Sequence, residues 1–98
     1  VPMTESECLE AIAKGETAYG LLHDADPKLI KKFSRLCRSI VAFREEVQVH
    51  FPDAEYYTAS GGFNLMLGKP HTEDRAQRSQ GQLLALSGER VQIGDGDF

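Results

Sequence analysis

The chain has 98 residues, 41% hydrophobic and 27% charged, with a formal net charge of −4. That length supports one core without staples and leaves no room for a second domain of ordinary size; the composition excludes disordered, collagen-like and coiled-coil classes. The longest apolar run is a handful of residues, far short of the ~20 that cross a bilayer, and no basic region followed by an apolar run opens the chain.

No membrane segment or secretion signal is therefore expected. Val1 and Pro2, ahead of Met3, read as a cloning remnant and are set aside, leaving a single domain over 3–98. Cys8 and Cys37 lie far apart, each on the apolar face of an expected helix. There they read as buried, reduced thiols, which points to a reducing, cytoplasmic setting. Charge is segregated: residues 1–26 hold six acids against Lys14 alone, whereas 27–38 hold five cations and no acid.

In chain order, Thr4 and Glu7 form a capping box, so a short helix is expected to start there. Its apolar face is Cys8, Leu9, Ile12 and Ala13, and Gly15 is its stop. Residues 16–25 continue with helical spacing through Tyr19 and Leu22, but Gly20 weakens the pattern, and a broken turn or loose connector is expected. Asp26-Pro27 is a capping carboxylate followed by proline at the first helical position. From there Leu29, Ile30, Phe33, Leu36, Cys37, Ile40, Val41 and Val47 keep the i, i+3, i+4, i+7 rhythm, interrupted only by Arg44. A long helix over 26–49 follows, ended by Phe51-Pro52.

EYYTAS and FNLMLG flank Gly61-Gly62, the pattern of a hairpin with a two-residue turn. Pairing Ser60 with Phe63 sets Tyr57 opposite Met66 on one face and Tyr56 opposite Leu67 on the other, where Phe63, Leu65 and Leu67 would meet the helix. Residues 69–82 are polar, without periodic apolar positions, and read as a mobile loop. A short helix over 73–80 capped by Thr72 is the alternative. LLALSGERVQIG reads as a second hairpin turning at Gly88-Glu89, with Leu86 opposite Val91 and Leu84 opposite Ile93. The expected fold is α+β: a short N-terminal helix and one long amphipathic helix packed on a small antiparallel sheet of two β-hairpins.

Chemistry is harder to find. His23, His50 and His71 are dispersed without metal-ligand spacing, and no nucleophile elbow or phosphate-cradling glycine loop is present. No metal or cofactor is expected. A D-x-D at Asp95 and Asp97 is more simply a solvated tail than a cation site, and Phe98 behind it would dock on the core or anchor a partner. Lys28, Lys31, Lys32, Arg35 and Arg38 gather on one helix side, apart from the apolar stripe. They suit phosphates or an acidic protein surface; equally, they suit a solvated face partly answered by the acidic first helix, which is preferred. No aromatic shares that side of the helix to stack bases, so nucleic acid is disfavoured. Tyr57 and Met66 point to the outer sheet face, where they would meet a partner or lie under a loop or the second hairpin.

The leading expectation is a non-enzymatic protein–protein interaction module, a regulator or inhibitor of the accessory kind that bacteria, phages and plasmids carry, with homo-oligomers open to it. Nucleic-acid binding through the basic helix face comes second. A small metal-dependent enzyme joining His50 or His71 to Asp95 and Asp97 comes third.

Overall fold

The computed structural model describes residues 2–59 and 62–94. It is an α+β structure, and it divides into two compact units, 1–40 and 41–98.

The first unit is helical. Helix α1 (Glu5–Ala13) begins with the expected capping box: Thr4 Oγ1 accepts from the Glu7 amide at 3.3 Å and Glu7 Oε1 accepts from the Thr4 amide at 3.3 Å. It ends at Lys14, and Gly15 takes φ +110°, a left-handed conformation that costs glycine nothing. Residues 16–25, expected as a broken turn or connector, hold a second helix, α2 (Ala18–Ala25). Thr17 Oγ1 accepts from the Gly20 amide at 2.9 Å, so the residue that weakens the helix interior is also the donor that closes its cap. The cap outweighs the propensity.

Helix α3 (Lys28–His50) begins at the Asp26-Pro27 corner, where Asp26 Oδ1 accepts from the Lys28 amide at 3.0 Å. At 23 residues it is about 35 Å long. Helices α1 and α2 pack on one another, and α3 leaves the corner without packing along either.

In the second unit the last turns of α3 lead through Phe51, Pro52 and Asp53 into Ala54, which is 1% exposed and whose carbonyl accepts from Gln48 Nε2 at 2.8 Å. Three antiparallel strands follow in the order β1 (Glu55–Tyr57), β2 (Phe63–Met66) and β3 (Leu84–Gly88). Strand β2 is central, so Leu65 and Met66, which point to opposite faces, are both buried.

The first hairpin forms, two residues out of the expected register: Tyr56 faces Leu65 and Tyr57 faces Asn64. Its turn is closed by Gly62 N–H donating to Ala59 O at 2.9 Å. A slip of two keeps every side chain on its expected face. Tyr56 accordingly stacks on Phe63, ring centroids 4.9 Å apart, and its hydroxyl meets the Arg44 backbone on α3. This is the sheet face assigned to the helix.

The second hairpin is a correction. Strand β3 pairs with β2 instead, Leu86 facing Leu65 and Leu84 facing Met66 across a bulge, and residues 91–94 form no strand. A turn does close at Gly88, whose carbonyl accepts from Val91 N–H at 3.4 Å. Pairing β3 with β2 covers the second edge of the most apolar strand, which a free-standing hairpin would leave open. The helix considered for 73–80 is absent as well. Thr72 caps a different structure: its hydroxyl accepts from Arg78 N–H at 2.9 Å and donates to Asp74 Oδ1 at 2.8 Å, closing a loop whose ends meet at a His71–Ser79 bridge. Gln80 N–H donates to Pro70 O at 2.7 Å and Gln80 Nε2 to Lys69 O at 2.8 Å, anchoring its base.

Candidate functional site

The apolar stripes read from the sequence are in place in the helical unit, but none of their residues there is fully buried. No residue of α1 or α2 is buried, nor any of α3. Phe33 is 66% exposed and Leu36 55%. Between α1 and α2 runs an open, mainly apolar groove of about 560 Å³, lined by Met3, Cys8, Ile12, Leu21 and Leu22, with Asp24 at its edge. Both thiols are free, Cys8 half-buried and Cys37 exposed. The expectation of two buried cysteines therefore fails at Cys37, because the face that carries it is open.

Lys28, Lys31, Lys32, Arg35 and Arg38 are all exposed on α3. At 100° per residue Lys31, Arg35 and Arg38 point away from Leu29, Phe33 and Leu36, while Lys32 flanks that stripe beside Leu36. Among the described residues the ion pairs are His23 with Asp24, at 3.9 Å, and Lys69 with Glu73. None joins the acidic helices to the basic one. The five cations thus form an exposed face, and among the described residues no ion pair joins it to α1.

On the sheet, Tyr57 is half-buried and Met66 is 4% exposed, so Met66 is not available as an outer contact. The 70–81 loop is the cause: Pro70, His71, Ser79 and Gly81 line the same small cavity of about 320 Å³ as Tyr57 and Met66. Of the two readings weighed for this face, cover by a loop is the one found. Phe98 lies outside the described residues, as do Asp95 and Asp97.

A second depression, an open cleft of about 880 Å³ in the sheet unit, is bordered by Arg44, Gln48, Asp53, Glu55, His71 and Glu73. Among the described residues no three His, Cys, Asp or Glu side chains come together to hold a metal ion. His71 sits in the cleft without a serine or cysteine nucleophile among the lining residues. Burial pushes the Tyr56 hydroxyl above its ordinary pKa of 10.0, against the charge of Arg44 and a hydrogen bond to its backbone. That shift favours the neutral phenol and creates no base. No helix is long and apolar enough to cross a membrane among the described residues.

Sequence reading gives Met3 no role, leaves Leu22 in a connector, and takes Phe33 and Leu36 as part of a helix's apolar stripe. Their signal is comparative: α1 and α2 are each too short to cover a stripe the length of that on α3 and also each other. No protein-family model, curated protein or solved structure matches the chain.

Proposed function

We propose that this chain is a protein–protein interaction module, and that its helical unit completes its apolar core on a partner. The observation supporting the reading is the absence of any buried residue on α1, α2 and α3 beside exposed Leu9, Ile12, Leu22, Phe33 and Leu36. Fully burying a side chain of this size is worth about 1.5–3 kcal/mol, so each half-open one leaves roughly 1 kcal/mol for a partner to recover. Exposed large apolar side chains gathered on one helical unit suit an interaction site.

Affinity capture with the tagged chain tests this. Partners retained by Tyr57→Ala and lost by Phe33→Asp support the helical unit as the binding surface; the opposite pattern overturns it. A second reading, phosphate contact through the basic face, is favoured by the lack of ion pairs at Lys28, Lys31, Lys32, Arg35 and Arg38. It requires duplex binding that weakens steeply with salt and is lost in Lys31→Glu/Arg35→Glu. Salt-insensitive retention of the duplex would sink it.

A further inference from the structure

We propose that the open cleft of the sheet unit binds a free α-amino acid, its carboxylate on Arg44 and its ammonium on Asp53 and Glu55, with a basic side chain preferred. The cleft lies wholly within 41–98 and is independent of the helical surface argued above.

Arg44 is the charge that interrupts the apolar rhythm of α3, and the fold places it half-buried in the cleft wall. A cation taken partly out of water is costly unless an anion answers it. Among the described residues no carboxylate does, since the ion pairs there are His23 with Asp24 and Lys69 with Glu73. Tyr56 feels the Arg44 charge, but burial favours its neutral phenol, so it is no counter-ion. The guanidinium therefore keeps its planar fork of donors for the cleft, and that fork matches a carboxylate.

The remaining polar groups sort into two sets. Lys69 pairs with Glu73, Gln48 Nε2 donates to Ala54 O, Gln80 Nε2 donates to Lys69 O, and the Thr72 hydroxyl closes its own loop. These groups hold the walls together. Asp53, on the α3–β1 connection, and half-buried Glu55, which opens β1, enter no ion pair among the described residues. They border the same depression as Arg44 without neutralising it, so the cleft keeps its two signs apart.

That separation selects the ligand. A phosphate or a simple carboxylate would meet Arg44 but face Asp53 and Glu55; a simple amine would meet the two acids but face Arg44. A zwitterion answers both. Because Lys69 and Glu73 cancel, one open cation stands against two open acids, and a second ammonium on the ligand's side chain restores the balance. No Phe, Tyr or Trp is among the described lining residues, so a sugar or nucleobase ring has no face to stack on. Nor, among the described residues, do three His, Cys, Asp or Glu side chains gather for a metal ion. The volume, about 880 Å³, falls within the about 300–1,000 Å³ of small-molecule sites.

Amide NMR of the full chain, titrated with L-lysine at pH 7 and fixed ionic strength, tests the site. Saturable shifts should appear at Gln48, Asp53–Glu55 and Lys69–Thr72, and none on α1 or α2. Cadaverine, which is lysine without its carboxylate, and Nα-acetyl-lysine, which lacks the α-ammonium, should each bind at least about tenfold more weakly, the scale of one lost charge-assisted contact. L-glutamate should also bind more weakly than L-lysine. In Arg44→Gln the advantage of L-lysine over cadaverine should vanish, and Arg44→Lys should restore part of it. In Asp53→Asn/Glu55→Gln the advantage over Nα-acetyl-lysine should vanish instead. Each variant removes one preference and spares the other, which a general loss of fold would not do, and urea midpoints check the fold directly. Absence of saturable shifts overturns the proposal. So does equal binding of cadaverine or Nα-acetyl-lysine to the wild type, tighter binding of inorganic phosphate or glucose at the same amides, or preferences that persist in the variants.

Discussion

Replacing Met66 by alanine tests the central place of β2 in the observed three-stranded sheet. In the structure Met66 is 4% exposed, on the central strand and beneath the 70–81 loop, whereas Leu86 on β3 is 59% exposed. The substitution removes Cγ, Sδ and Cε. At about 0.8 kcal/mol per methylene-sized group the transfer loss is roughly 2.4 kcal/mol, and a cavity that does not collapse brings the total to about 2.5–4 kcal/mol. Leu86→Ala removes a similar volume with more than half of it already in water, so it should cost under about 1 kcal/mol. Small domains hold only about 5–15 kcal/mol in all. The Met66 change should therefore move the urea midpoint of the sheet unit far enough to read without extrapolation, at unchanged slope. Equal losses at the two positions, or a Met66→Ala loss under about 0.5 kcal/mol, would refute the central place of β2 and the cover of the loop.

Two smaller perturbations address the corner and the helix contact. Asp26→Ala should cost about 1 kcal/mol through the lost cap on Lys28, measured by thermal melting, and Asp26→Asn should restore most of it. For Tyr56, burial disfavours the phenolate in the folded chain, so its folded pKa is raised. The stability it contributes is fully present below the ordinary value of 10.0 and falls as pH rises through the folded pKa. Urea unfolding between pH 9 and 12 should show a steeper loss in the wild type than in Tyr56→Phe, and parallel curves would remove the burial argument.

What the sequence made legible follows from the range over which each signal acts. Thr4 and Glu7, Gly15, and the Asp26-Pro27 corner are local devices, and each stands where the pattern put it. Thr17 was as local as these but was hidden by Gly20, since propensity was weighed without the cap that the same glycine donates to. The first hairpin kept its faces through a two-residue slip because side-chain alternation is indifferent to even shifts. Non-local choices were not legible. That β3 pairs with β2, or that a polar loop settles over Met66, depends on competition between surfaces that periodicity does not rank. The helical unit is the sharpest instance. The rhythm from Leu29 to Val47 states which side of α3 avoids water but not what keeps water off it. A stripe covered within the chain and a stripe covered by another chain have the same sequence. The difference lies in the supply of covering surface: α1 and α2 are short and α3 does not lie along them, so Phe33 and Leu36 remain open. Among the described residues no ion pair joins the −5 segment (1–26) to the +5 segment (27–38), although they adjoin in sequence.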